Sequence, residues 1–567
     1  MKLRMPLAAV ALVLALAGCA AIPNSGAVQT GNVIDTETQV QGVYQPSGPQ
    51  TGATQGQIVS DFVQAALDPQ NDYATARKFL ASTFRQKWNP NASVTIQRGV
   101  GTASVVTGSA DQFEYSMRAV AHIDANGSYT EEASPEPEHL DVGLVKEDGQ
   151  WRIAKVNDGI AISESTFDGV FAAHPLYFFE PGYRYLVPDV RWFPTTDGVT
   201  TRIANSLLAG PASWLGGGVL VTAFPPGTTL DDVGVVVESA VATVDLSTEA
   251  KLTTTARDRA RMQQQMTASL TSVSNVQSVA LTVGGVDLAA PGSATDSSSV
   301  QPSVNAASLV LDKNTFGFTI GDPVRSIPGI SSKALALGML GASYTDSSKI
   351  LAARTESGVA VLSAGGDALL VDPRTKLIDP SIDNYGFVWS VQAQHVSSLR
   401  IFASDGSPQG AFILASLGGD DPRVVSLDVS RDGSRLLLYL DGDGGPRLVV
   451  AGIIRGANNV PLGLGPDPVS LPVTAARPVD ATWESDRSVA AISGSGTATT
   501  ITEFGIGGPS AVLGVLAEAR QIVGGNGGQS GLRVLDAAGI VYRGTGTGSS
   551  WREAGYNASF IATQQPG

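Results

Sequence analysis

Apolar residues change their spacing along this chain, and the changes divide it into regions. Ile58, Val59, Phe62, Val63, Ala66 and Leu67 recur at helical spacing, and Asp68-Pro69 ends that helix. Asn71 and Asp72 are placed to cap a second helix carrying Tyr73, Ala76, Phe79 and Leu80. The period then becomes two. Phe113, Tyr115, Met117, Ala119, Ala121 and Ile123 alternate with mostly polar residues, the pattern of a long half-buried strand. Leu140, Val142 and Leu144 repeat it, and Asp148-Gly149 turns it tightly into Trp151–Val156. Two helices and a curled antiparallel sheet predict an α+β, cone-like domain over residues 53–165.

That order of elements resembles the SnoaL or nuclear-transport-factor fold, in pattern alone. A second domain is predicted over residues 170–288. Strands at Leu176–Phe179 and Leu186–Arg191 precede a helix from Val199 to Ala209, which Gly210-Pro211 stops. Alternating strands follow at Val233–Val237 and Val241–Ser247. A long helix then turns Leu252, Ala256, Met262, Met266 and Leu270 inward, and Val279–Val283 ends at Gly284-Gly285. The segments Ser206–Pro211, Pro225-Pro226-Gly227-Thr228, Val244-Asp245-Leu246-Ser247 and Gln265–Leu270 resemble the GerMN domain, a small α/β unit that implies no enzyme activity by itself. Gly284-Gly285 stands where that domain more often has Asp-Gly, and either pair turns tightly.

Residues 289–307 are rich in Ser, Ala, Pro and Gly and read as a linker or exposed loop. From Ser308 onward short strands and turns repeat. Val424–Val429, the turn Ser430-Arg431-Asp432-Gly433, and Ser434–Tyr439 form the clearest unit. Weaker copies lie at Ala334–Val361, Ile382–Ala403 and Val479–Phe504. Trp389, Val429 and Trp483 serve as equivalent points about 40 to 55 residues apart, a spacing that suits β-propeller blades. Residues 308–567 are therefore predicted to form an all-β propeller of five or six blades, with a pair of β-sandwiches as the alternative.

The N-terminus carries its own pattern. Lys2 and Arg4 precede an apolar run of roughly a dozen residues, where a membrane span needs about 20. Residues 1–18 read as a signal peptide. Leu16-Ala17-Gly18-Cys19 resembles the bacterial lipobox, in which the cysteine thiolate receives a diacylglycerol. The alternative is an ordinary signal peptide ending near a cysteine. Cys19 is the chain's single cysteine, which favours acylation. Cys19 is thus the expected lipidation site, with the chain anchored to the outer face of the cell membrane. Residues 19–52 read as a flexible tether, reaching roughly 30 Å as a coil.

Composition narrows the chemistry. Charged residues are 16% and glycines number 64, a balance that favours turn-rich β structure. The net charge of −15 becomes more negative once Lys2 and Arg4 are removed, and no basic stripe exists, so no nucleic-acid partner is expected. His122, His139, His174 and His395 lack a second histidine or cysteine at ligand spacing, so no metal site is expected. His122 and Asp124 read as a surface pair. Glu131, Glu132, Glu136 and Glu138 lie in a proline-broken polar stretch, and Asp441–Gly445 reads as a hairpin turn without the later acid of a calcium loop. Gly216–Gly218 and Gly524–Gly528 read as flexible turns. No nucleophile elbow, Walker loop or zincin motif occurs, so neither catalytic residues nor a cofactor are assigned.

Lipobox and tether, GerMN domain and propeller, in that order, resemble the LpqB lipoprotein family of actinobacteria. The resemblance covers nearly the whole mature chain and rests on domain order. It implies a non-enzymatic accessory lipoprotein whose partner is the extracellular domain of the sensor kinase MtrB, in the MtrA–MtrB two-component system of envelope homeostasis. The competing reading is a protein that binds or processes cell-wall glycan or peptide at the propeller face.

Overall fold

A computed structural model describes residues 46–567, apart from 252–254, 289–296, 322, 410–416, 418–420, 475, 496–497 and 547–548. The expected signal peptide and Cys19 lie outside the described residues. So do Leu252 and most of the expected tether.

Helix Gln55–Ala65 starts at a capping box: Thr54 Oγ1 accepts from Gln57 N, and Gln57 Oε1 accepts from Thr54 N. The expected Asn71/Asp72 cap does not form. Asn71, Asp72 and Tyr73 instead take left-handed backbone angles after Pro69, and Asp68 Oδ1 accepts from Gln70 N. Asp72 pairs with Arg77 at 2.7 Å, while Tyr73 is buried near Trp88. The helices pack on a mostly antiparallel sheet ordered Gln150–Lys155, Tyr129–Glu147, Gln112–Asp124, Ser93–Gln97, Ile160–Ser163. Strand Gln112–Asp124 buries Phe113, Tyr115, Met117, Ala119, Ala121 and Ile123 and turns its alternate residues outward. The acidic, proline-bearing stretch is no loop but half of the 19-residue strand Tyr129–Glu147. Its partner on the other side, Gln150–Lys155, pairs only from Gly143 onward, so Pro135 and Pro137 sit on a free edge that needs no N–H. Residues 132–135 bulge out between the Ala119–Glu136 and Ala121–Glu131 pairings.

The second domain opens with the hairpin Phe171–Phe179 and Leu186–Pro194. Helices Val199–Ala209 and Ala256–Leu270 pack with a sheet ordered Val286–Asp287, Ser278–Val283, Val241–Leu246, Leu230–Glu238. Gly284 and Gly285 both have positive φ, which their tight turn requires. Ala256 proves exposed. The inward positions are Met262, Gln265, Met266, Ser269 and Leu270, and Gln265 Oε1 accepts from Ala223 N at 2.8 Å.

Beyond Ser308 the described residues form six blades. Blade 1 joins two distant segments: Phe560–Gln565 is its inner strand, followed outward by Ser308–Asp312, Thr315–Thr319 and Arg325–Ser326. The inner strands of blades 2 to 6 are Gly341–Thr345, Ser381–Ile382, Arg423–Val429, Pro478–Trp483 and Ala519–Val523. A helix, Ser331–Ala336, interrupts the expected run of strands between blades 1 and 2. Trp389 lies on the second strand of blade 3, so Ile382, Val429 and Trp483 are the equivalent points. Both faces of each blade are buried. In strand Arg435–Gly442, Leu436, Leu438 and Leu440 pack on blade 3, while Leu437 and Tyr439 pack on blade 5. This is why Leu436–Leu440 reads as an unbroken apolar run. Asp441–Gly445 is a hairpin turn, with Gly442 paired to Gly445.

Candidate functional site: the propeller axis and the domain junction

Inner strands of a propeller splay apart from one blade to the next, which leaves main-chain N–H groups to be satisfied. Side chains meet that need in sequence around the ring. Ser343 Oγ accepts from Ile382 N, Ser381 Oγ from Val429 N, Ser426 Oγ from Ala481 N, Asp480 Oδ2 from Ile522 N and Gln521 Oε1 from Ile561 N, all at 2.8–3.1 Å. The sixth gap closes by direct parallel pairing of Ser343–Thr345 with Thr563–Gln565. Gln565 Nε2 also donates to Val429 O at 2.8 Å, tying blade 1 to blade 4 across the ring.

The N-terminal ends of these strands surround a cavity of about 410 Å³ on the axis. Asp428, 5% exposed, accepts from Thr482 Oγ1 at 2.9 Å, Ser381 Oγ at 3.3 Å and Trp483 N at 3.4 Å. Asp480 in the next blade accepts from Ala481 N at 2.9 Å and Ile522 N at 2.8 Å. Burial pushes Asp428 up to about 6 and Asp480 up to about 8, the latter helped by the charges of Asp379 and Asp428. Arg354 holds Asp379 at 2.6 Å on the same wall, and Arg520 lies at the rim.

The opposite end of the axis is covered by the second domain. Arg184 stacks over Tyr385 in the turn after the blade 3 inner strand. Asn526, after the blade 6 inner strand, clamps Val304 by donating to its O at 2.6 Å and accepting from its N at 3.0 Å. The expected linker is thus fastened at its end, and at Ser299 it pairs with Tyr185. The glycine stretches expected to be flexible turns pack here too. Gly217 lies against Pro466, and a Cβ on Gly524 would meet Trp483 O at 1.9 Å.

All three domains meet at Trp192. Its Nε1 donates to Gly507 O of blade 5 at 2.8 Å and its N to Gly127 O of the first domain at 2.8 Å. Its ring lies 4.8 Å from Phe167 and 5.8 Å from Tyr129. Arg191, forked onto buried Asp189 at 2.8 and 2.9 Å, reaches Asn126 O at 2.9 Å. Glu131 accepts from Ser510 N and Oγ of blade 5 at 2.8 and 3.0 Å. One member of the acidic stretch is therefore an interdomain clamp, a role that only the fold discloses.

The remaining candidates are dispersed. His122 pairs with Glu138 at 3.0 Å, while Asp124 caps its own turn by accepting from Asn126 N and Ser128 N. His174 is buried against Ser272, and burial lowers its pKa to about 4. His395 meets Asp421 at 3.0 Å on the surface. Strand register brings Glu114, His139 and Asp141 within 4.8 Å on an open face, a grouping that spacing along the chain conceals. Among the described residues no helix is long and apolar enough to cross a membrane.

Comparison with known proteins gives three family models in a row: the N-terminal domain of lipoprotein LpqB over residues 48–168, a sporulation and spore germination domain over 175–289, and the LpqB beta-propeller domain over 318–559. A lipoprotein LpqB of Cutibacterium acnes is 32% identical over 50% of this chain and 47% of its own length, and one of Nocardia farcinica is 32% identical over 37% and 34%. The chain thus spans about half and a third of those two relatives. A lipoprotein LpqB of Bifidobacterium longum is 27% identical over 81% of this chain and 80% of its own. The first GerMN domain of Bacillus subtilis GerM is 22% identical over 22% of this chain and 96% of its own, with a TM-score of 0.18, too low to bear on the fold. Two models specific to one family flank the GerMN-like domain, and the relatives carry that family's name: the chain belongs to the LpqB lipoprotein family.

Proposed function

We propose that this chain is a non-enzymatic accessory lipoprotein, held through lipid on Cys19 at the outer face of the cell membrane. There it binds the extracellular domain of a sensor histidine kinase, MtrB by family resemblance, and modulates two-component signalling in envelope homeostasis. The observation that carries the reading is the clamp at Trp192. Three domains fastened into one compact body present fixed surfaces, as a docking platform requires, and a platform needs no reactive group.

The test sets the purified chain against the kinase extracellular domain and, in parallel, against peptidoglycan. Saturable binding to the kinase domain that follows single-residue changes on one face supports the reading. Binding to peptidoglycan alone would replace it with the cell-wall reading, which the axial cavity favours. Cys19→Ser is expected to remove the protein from the membrane fraction or leave it unprocessed, because an oxygen cannot form the thioether. Processed, membrane-bound Cys19→Ser protein would overturn the anchor.

A further inference from the structure

Two carboxylates on the axial cavity differ from four aspartates buried elsewhere among the described residues, although buried Asp536 likewise accepts only from Ile540 N and Tyr542 OH. Asp189, Asp372, Asp383 and Asp432 each hold a guanidinium at 2.6–2.8 Å, from Arg191, Arg374, Arg455 and Arg435. Asp428 and Asp480 hold none of these ion pairs and accept only neutral N–H and O–H donors. The charge of Arg431 eases Asp428 without an ion pair, while the charges acting on Asp480 are those of Asp379 and Asp428. A carboxylate taken from water without a paired counter-charge is costly, and either a proton or a cation relieves it. Here both sit on a cavity of about 410 Å³ at the end of the axis that the second domain leaves uncovered. From this we infer that the axial cavity is a binding site for a primary ammonium group, of the lysine side-chain type, presented to the open face of the propeller.

Ammonium fits better than guanidinium. A guanidinium fork needs both oxygens of one carboxylate free in plane. Each Asp480 oxygen already accepts a main-chain N–H. An ammonium is a compact charge with three donors and can bridge separate single acceptors. The groups facing Asp480 are Asp428 on blade 4, Asp379 with its partner Arg354, and Arg520 at the rim. Ammonium binding must displace the proton that burial favours on Asp480, so affinity rises with pH until that group is ionised. This site stands apart from the kinase reading, and a small-molecule probe tests it without any partner protein.

The experiment is calorimetric titration of the full chain in detergent with Nα-acetyl-lysine amide and, as the neutral control, its Nε-acetylated form. Saturable binding of the first and not the second is expected, roughly a hundredfold weaker near pH 6 than near pH 9, where lysine stays charged throughout. Asp480→Asn is expected to weaken binding by about tenfold or more, the loss of one charge-assisted contact. Arg520→Ala, at the exposed rim, is expected to tighten it by about twofold by removing a like charge. If Asp480→Asn fails to fold, the two probes on the unaltered chain and Arg520→Ala still decide. Equal binding of both probes, no saturable binding, or full affinity in a folded Asp480→Asn overturns the site.

Discussion

Glu484 is 2% exposed and faces Glu503, its Oε2 accepting from Ser488 Oγ at 3.3 Å. Burial, with the neighbouring carboxyl, pushes its pKa up to about 8 from 4.5. The folded chain therefore keeps a proton that the unfolded chain releases. The stability this contributes is complete below about pH 4.5 and is lost as pH rises through about 8. Asp480 acts in the same sense. His174, lowered to about 4 from 6.5, acts oppositely: its contribution holds above about 6.5 and fades as pH falls through 4. Glu484→Gln keeps a neutral donor and removes the titration, so its melting temperature should exceed the parent's near pH 8.5 and match it near pH 4.5. Scanning calorimetry at the two pH values checks this, and an equal drop at both would refute it. His174 was visible in the sequence as a lone histidine, but the two carboxylates did not stand out. Asp480 and Glu484 lie among ordinary strand and turn residues; only ring closure puts Asp480 on the axis, and only the register of blade 5 sets Glu484 opposite Glu503.

At the scale of elements, periodicity made the helices Gln55–Ala65 and Val199–Ala209 and the strand Gln112–Asp124 legible, because one face of each meets a core and the other meets water. The recurring strand-turn-strand units disclosed the propeller for the same local reason. Register was not legible. Pro135 and Pro137 argue against a strand until the partner is seen to stop at Gly143 and leave them on an edge. Nor was the inner strand of blade 1, since its partners lie about 250 residues earlier and no local pattern links them. Gly216–Gly218 is a turn as expected, but Gly524 misled because a glycine that permits close packing looks like one that permits bending. Gly524 tests the difference. Gly524→Ala must move Trp483 O, which a Cβ would meet at 1.9 Å, and is expected to cost about 2 kcal/mol. Gly444→Ala, with no neighbour within 4 Å, should be almost neutral. Chemical denaturation of both variants decides it, and equal midpoints would mean that the blade 6 loop yields.

For the whole molecule, the body behaves as one unit because Trp192 touches all three domains at once. Trp192→Ala removes its two main aromatic contacts and its bond to Gly507, and should cost about 3 kcal/mol. Unfolding should then separate into more than one transition, and the radius measured by small-angle scattering should grow. An unchanged single transition would show that the contacts at Glu131, Arg184 and Asn526 suffice.

The inner strand of blade 1 also sets an order of events. Synthesis proceeds from the N-terminus, so the first two domains and blades 2 to 6 emerge while Phe560–Gln565, the partner of Ser308–Asp312, is still to come. Until it arrives, Ser308–Asp312 and Gly341–Thr345 are exposed strand edges, and an open edge recruits other strands. The ring completes only as its last residues are delivered, which makes the end of synthesis the interval in which this chain is most open to proteolysis and aggregation.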